Sequence, residues 1–236
     1  MSTGSRTGDV AVVIPARNEA DRIAATVTAA AELPEVGLVV VVDDGSADRT
    51  GAIARGAGAI SLRHGRNRGK AAAMQTGATA VSLVDEREQR EHPRHLLFLD
   101  ADLGESAGKA GPLAGPVLAG TADMTIAVFA ATVKLGGHGL VVGLSGAGIR
   151  RAAGWQPAQP LNGQRCLTRA AFEAARPLAR GWGVETALTI DLLRQGLRVT
   201  EVEVDLAHRA TGTGLRAQLH RAHQLADVAR ALAVRR

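Results

Sequence analysis

An apolar run, Leu96-Leu97-Phe98-Leu99, leads directly into Asp100-Ala101-Asp102, two carboxylates one residue apart. Two such groups repel each other unless a cation lies beside them. Ligation by oxygen alone suits Mg²⁺ or Mn²⁺, ions that usually bridge to phosphates. The pair therefore points to a metal–diphosphate site. The plain alternative is a strand-end turn carrying two solvated aspartates. A short, uninterrupted apolar run is the mark of a strand buried on both faces, as in a central parallel sheet. Residues two apart on a strand share a face. Asp100 and Asp102 are thus expected to serve one site at the C-terminal end of their strand, where open α/β sheets bind ligands.

The elements that must position this pair follow from the apolar pattern. Residues 10–14, 36–42 and 59–63 read as three earlier strands, rich in valine and isoleucine or bounded by breakers. Helices are expected between them: one capped by Asn18 or Asp21 with Ile23, Val27 and Ala30 on its inner face, one capped by Ser46, and one opening at Asn67-Arg68-Gly69-Lys70 and carrying Ala71, Met74, Ala78 and Val81. This alternation predicts a single-domain α/β fold around a mostly parallel sheet with right-handed crossovers. Residues 85–94 are charged and read as a solvated loop. Beyond Asp102 the rhythm loosens. A strand is expected at 124–130, a flexible stretch at 134–139, helices near 140–153, 168–176 and 185–195, and a half-exposed strand at 197–206. A last helix places Leu215, Leu219, Ala222, Ala226, Ala229 and Leu232 on one face, with arginines around it. The expected division is a flexible tail at 1–9 and one domain at 10–236, with halves at 10–118 and 119–236.

Three of the first four strand ends carry polar clusters: Pro15-Ala16-Arg17-Asn18-Glu19, Asp43-Asp44-Gly45-Ser46 and Asp100-Ala101-Asp102. In a parallel sheet these ends share one edge and converge on one crevice. For Asp43 and Asp44 the structural alternative is an Asx turn at a helix start; Asp48 and Thr50 are assigned to such a turn. Lys70 at a glycine-led helix start suits any phosphate.

Composition narrows the classes. The chain has 236 residues, a net charge of +5 and a pI near 10.5, which favours anionic ligands. Only 2% of residues are aromatic and none is tyrosine, so stacking platforms for single-stranded nucleic acid are scarce, and no nucleic-acid recognition motif is present. Cys166 is the only cysteine, which excludes an internal disulfide and agrees with a cytoplasmic location. No stretch of about 18 apolar residues suggests a membrane span. The basic last helix is compatible with peripheral contact with anionic lipid; packing on the domain with arginines outward is the favoured alternative. A homodimer is the expected assembly.

Four motifs in this order resemble the nucleotide-sugar glycosyltransferases of the GT-A fold, family 2: Ile14-Pro15-Ala16-Arg17-Asn18-Glu19, Val42 to Thr50, Asn67-Arg68-Gly69-Lys70 and Leu99-Asp100-Ala101-Asp102. In the second half, Leu161-Asn162-Gly163-Gln164-Arg165, Gly181-Trp182-Gly183-Val184-Glu185 and Asp205-Leu206-Ala207-His208-Arg209 look like glucosyl-3-phosphoglycerate synthases and polyprenyl-phosphate sugar transferases. The resemblance implies a UDP-sugar donor, UDP-glucose foremost, and a small anionic or lipid-phosphate acceptor. It implies that Asp44 accepts the uracil N–H, that Pro15, Ala16, Asn18, Glu19 and Gly45 line the nucleoside pocket, and that Lys70, Asp100 and Ala101 contact the rest of the nucleotide sugar. Asp102 and His208 would hold Mg²⁺ or Mn²⁺, with Asp102 and Glu185 as catalytic residues. Gly163, Gln164, Arg165 and Arg209 would face the acceptor. For Glu185 the alternative is an acid at a helix start that favours the macrodipole, and for His208 a solvated loop residue.

Many inverting members of the wider family carry a Glu-Asp pair as general base. No such pair follows Trp155. An acceptor that is already ionised needs no base, and Arg165, Arg169 and Arg209 agree with an anionic one. The rival reading is a phosphatase of the haloacid dehalogenase type, with Asp100 as nucleophile. Against it, that motif normally opens its domain, whereas three strands precede Asp100 here. A non-catalytic nucleotide-binding protein is the other alternative.

Overall fold

The computed structural model describes residues 8–129, 139–206 and 215–235, with the backbone alone over 215–222. Seven strands form one sheet in the order β3-β2-β1-β4-β6-β5-β7. These are β1 (Val10–Ala16), β2 (Val36–Asp43), β3 (Ile60–Arg63), β4 (His95–Phe98), β5 (Met124–Phe129), β6 (Arg165–Leu167) and β7 (Val199–Val204). β1 to β4 pair in parallel, as do β5 and β7, and only β6 runs antiparallel to its neighbours β4 and β5. The chain is thus a single α/β domain with a mostly parallel sheet, as expected.

The valine-rich strands are buried on both sides, and period-two alternation divides their side chains between two cores. Val10, Val12 and Ile14 join one core with Ile23, Val27 and Ala30 of α1 (Ile23–Ala31). Ala11 and Val13 join the other with Ala71, Met74, Ala78 and Val81 of α3 (Lys70–Arg87). Gly77 lets α3 lie close to the sheet: a Cβ there would stand 2.4 Å from Val13 Cγ1. Shorter helices complete the chain: α2 (Thr50–Gly56), α4 (Gly115–Leu118), α5 (Gly139–Ala153), α6 (Arg169–Ala174), α7 (Val184–Arg194) and α8 (Leu215–Ala233). Thr168 caps α6 by accepting the Ala171 N–H, as its sequence predicts.

Several local expectations are corrected. α1 and α2 start after Arg22 and Arg49 with no side-chain cap; Asn18 and Ser46 instead bond to each other's loops. The 85–94 segment is not a solvated loop. α3 runs on to Arg87, and Asp85 and Arg94 are buried as an ion pair at 2.5 Å, because each charge finds its opposite inside. β4 ends at Phe98, so Asp100 and Asp102 lie beyond the strand and do not share a face by strand alternation. On α8 the buried residues are Gln224, Val228 and Ala231, whereas Ala226 and Ala229 are exposed. That rotation follows from docking onto the Gly181–Gly183 turn, where a Cβ on Gly183 would stand 2.7 Å from both Ala231 Cβ and the Asp227 carbonyl oxygen.

At the chain start, Gly8 and Asp9, expected in the tail, are held by Arg94 and Arg90. Residues 1–7, the stretch 130–138 and the loop 207–214, with the expected site residues His208 and Arg209, lie outside the described residues. Among the described residues, no helix is long and apolar enough to cross a membrane.

Candidate active site

The ends of β1, β2 and β4 lie on one edge of the sheet: Ala16 is in register with Asp43, and Val13 with Phe98. The loops that leave these ends are bound to one another before any ligand is considered. The Asn18 N–H donates to Ser46 Oγ, and Asn18 Oδ1 accepts the Ala47 N–H, with Asn18 held at φ 56°. The Glu19 N–H donates to Thr50 Oγ1, while the Glu19 carbonyl accepts from Arg22 and Ile23 and so begins α1. Asp48 accepts from the Thr50 and Ala20 N–H groups, the structural role expected of it. Asp43 accepts the Ser46 N–H in the manner of an Asx turn. Pro15 and buried Ala16 end β1, and the Ala16 carbonyl accepts the Asp44 N–H.

Asp44 is buried and organises the next loop. Its Oδ1 accepts the Arg68 N–H at 2.8 Å and contacts His64 Nδ1 at 2.7 Å, and its Oδ2 accepts the Gly69 N–H at 2.8 Å. Burial alone would raise its pKa, but these donors outweigh it and hold the carboxyl below its ordinary value. Gly45 sits at φ +73°, and a Cβ there would stand 2.7 Å from the Arg66 and Asn67 backbone, so the same loop stacks directly on it. Gly69, at φ 88°, then turns the chain into α3.

That turn delivers Lys70, the first residue of α3. Its Nζ donates to Asp100 Oδ1 at 2.8 Å and pairs with Glu185 Oε1 at 3.0 Å. Burial would lower the Lys70 pKa, but the Asp100 and Glu185 carboxylates overcome it and raise it. The ammonium is therefore fixed between two anions rather than presented as a free phosphate-binding cation. Gln164 Nε2 donates to the other oxygen of Asp100 at 2.7 Å. Gly163 leaves room for this cluster: a Cβ there would stand 2.3 Å from Lys70 Nζ. Lys70, Asp100, Gly163, Gln164 and Glu185, drawn from both halves of the chain, thus meet at one place.

Asp102 lies beside them on a loop held by α1. Thr26 Oγ1 donates to the Ala101 carbonyl and accepts the Gly104 N–H, and Arg22 Nη1 donates to the Asp102 carbonyl. The Asp102 carboxylate has no hydrogen-bond or ion-pair partner among the described residues, and it is partly exposed. Those residues contain no cluster of three or more His, Cys, Asp or Glu that could hold a metal ion. An uncommitted carboxylate at the mouth of the site fits Mg²⁺ or Mn²⁺, hard ions that take few protein ligands and complete their shell with water and phosphate oxygens.

Two arginines depart from expectation. Arg165 is 1% exposed. Its guanidinium donates to the Asn162, Glu185 and Pro160 carbonyls and to Thr189 Oγ1. It ties the 162–164 turn to the first turn of α7 and is not available to an acceptor. Arg169 is buried at the opposite edge of the sheet, bound to the Ala78 carbonyl and Ser82 Oγ. A buried Arg needs acceptors from several segments, which no local spacing displays. His64, Thr26 and Asn162 were not singled out by the sequence. His64 lies just past the end of β3, the one early strand end without an obvious polar cluster, and position at that edge is the signal that identifies it.

Residues 11–139 match glycosyl transferase family 2, and the chain belongs to that family. The nearest relatives and structures agree in type. A succinoglycan biosynthesis protein of Rhizobium meliloti, ExoU, is 38% identical over 47% of this chain and 31% of its own length. The glycosyltransferase AglJ of Haloferax volcanii is 26% identical over 86% of this chain and 65% of its own length. The chain therefore spans between about a third and two thirds of these relatives. Among solved structures, glucosyl-3-phosphoglycerate synthase of Mycobacterium tuberculosis with phosphoglyceric acid superposes with a TM-score of 0.76 at 24% identity, covering 96% of this chain and 80% of that one. The same enzyme has been solved with Mn²⁺, UDP-glucose and phosphoglyceric acid, with a TM-score of 0.75. The fold is GT-A.

Proposed function

We propose that the chain is a metal-dependent glycosyltransferase that moves a sugar, glucose foremost, from a UDP-sugar to an anionic acceptor of the phosphoglycerate or polyprenyl-phosphate kind. The observation that carries the reading is the meeting of Lys70, Asp100, Gln164 and Glu185 at the C-terminal sheet edge, beside the uncommitted Asp102. Asp44 keeps one lone pair on Oδ2 after its bond to Gly69. A base that presents a ring N–H, uracil or guanine, satisfies it, whereas the ring nitrogens of cytosine and adenine in that position are acceptors and do not. UDP is preferred to GDP on the resemblance of the Asp44 motif.

Asp102, with His208 on the resemblance, would hold the divalent ion, which neutralises the charge that develops on the departing diphosphate. Lys70 holds Asp100 and Glu185 ionised and fixed, so that neither side chain must reorganise when the donor enters. Glu185 faces the donor sugar. The anionic acceptor is supported by the missing Glu-Asp pair and by Arg209; Arg165 and Arg169 no longer contribute to it. The anionic acceptor and UDP-glucose in the mycobacterial enzyme support the same choice. The phosphatase reading is disfavoured, because both oxygens of Asp100 already accept hydrogen bonds, from Lys70 and Gln164.

Calorimetric titration of UDP, GDP and their sugar conjugates, with and without Mn²⁺, tests the proposal on the wild type and Asp102→Ala. Mn²⁺-dependent UDP binding that is lost in the variant is expected. Absence of binding to any nucleotide defeats it; binding without slow sugar release from UDP-glucose points to a non-catalytic nucleotide-binding protein.

A further inference from the structure

Asp44 does not hold the Arg68–Gly69 turn alone; behind it stands a buried histidine. His64 follows β3, and its N–H donates to the Asp43 carbonyl at 2.9 Å, which continues the β2–β3 ladder by one step and directs the side chain under Asp44. The imidazole is almost enclosed, with its side chain 6% exposed. Its Nδ1 lies 2.7 Å from Asp44 Oδ1, and its Nε2 lies 3.0 Å from Thr76 Oγ1 on α3. An ionised Asp44 only accepts, so Nδ1 carries the proton, and the neutral ring accepts the Thr76 hydroxyl at Nε2. The ring therefore links α3 to the end of β2 from below. Asp44 links the same two elements from above through the Arg68 and Gly69 N–H groups. The next residue is Lys70, which orients Asp100 and Glu185.

We infer that His64 is a positioning residue of the nucleotide site: its Nδ1–H fixes the rotamer of Asp44, and with it the turn that places Lys70. The inference rests on the proposed nucleotide site but makes a separate claim about how that site is held. Without the Nδ1–H, Asp44 Oδ1 keeps only its Arg68 bond, and the carboxylate is free to turn. The free Oδ2 lone pair that would meet the base then turns with it. Thr76 contributes less, because it holds the far side of the ring.

Three variants test this: His64→Leu, which removes both ring nitrogens; His64→Asn, whose amide N–H stands near the Nδ1 position; and Thr76→Val. Two readouts are used. One is UDP affinity in the presence of Mn²⁺, and the other is amide hydrogen exchange at Arg68 and Gly69 against exchange in the β1 core. In His64→Leu, UDP affinity is expected to fall about tenfold, the scale of one lost hydrogen bond to a charged group, and the two amides to exchange faster while β1 does not change. His64→Asn is expected to restore most of both, and Thr76→Val to cause a smaller loss of both. A His64→Leu protein with unchanged affinity and exchange overturns the inference, as does His64→Asn behaving like His64→Leu. If the wild type binds no nucleotide at all, the functional proposal falls. The exchange arm then decides the positioning claim alone, with unchanged Arg68 and Gly69 exchange counting against it.

Discussion

Lys70 carries one positive charge between two carboxylates, so the trio with Asp100 and Glu185 bears a net negative charge at neutral pH. Such a trio does not attract a diphosphate; it fixes geometry, and the attraction must come from a bound cation and from outside the trio. Gly163 is the residue on which this geometry depends most sharply. An alanine Cβ would stand 2.3 Å from Lys70 Nζ and 3.1 Å from Asp100 Oδ1. The group that must yield is the end of a flexible side chain, so folding tolerates the change while the ion pairs do not. Gly163→Ala is expected to cost under about 1 kcal/mol in a urea titration, in the range of substitutions that touch no buried backbone. Sugar transfer, or failing that UDP-glucose affinity with Mn²⁺, is expected to drop at least tenfold. A variant that loses stability and function in proportion shows that the glycine is needed for the fold instead.

Among the elements, α1 does more than cover the sheet. Thr26, fully buried, bridges the Ala101 carbonyl and the Gly104 N–H and so sets the loop that presents Asp102. Thr26→Val keeps the shape but leaves both backbone groups unpaired, at about 1–3 kcal/mol. Chemical denaturation should show that loss, and Mn²⁺-dependent UDP binding should weaken with it; unchanged binding would mean that Asp102 is placed by other contacts. The strands were legible because Val10 to Ile14, Val39 to Val42 and Leu96 to Phe98 are apolar without interruption, and burial on both faces demands that. The convergence of the Asp44, Lys70 and Asp100 motifs was legible because parallel strands place their C-terminal ends along one edge. What stayed hidden depends on contacts between distant segments. The carbonyls around Arg165 come from Asn162, Pro160 and Glu185. The inner face of α8 is set by Gly181 and Gly183 rather than by its own apolar spacing. Asn18 and Ser46, good caps by type, found partners across the loop instead of within their own helices.

Over the whole molecule the two edges of the sheet carry different burdens. The C-terminal edge gathers the ionisable groups of the site, several of them partly open to solvent. The other edge is closed by buried charge. Arg94, next to β4, pairs with Asp85 of α3 and with Glu88, both at 2.5 Å, and its Nε donates to the Gly8 carbonyl. Arg169, at the start of α6, lies 3.5 Å from Asp85 and donates to the Arg94 carbonyl. One carboxylate thus serves two buried guanidiniums drawn from the two halves of the chain. Removing it leaves charges that cannot reach water, which is the costly way to break a buried pair. Asp85→Ala is expected to lower stability by about 3–5 kcal/mol, seen as a large fall in the urea midpoint. Under conditions where the variant is still folded, its UDP affinity with Mn²⁺ should equal that of the wild type, because no bond of the Asp85 cluster reaches Asp44, Lys70 or Asp102. A variant whose affinity falls while its stability holds would show that the two edges are coupled through α3, the helix that begins at Lys70 and carries Asp85 near its end.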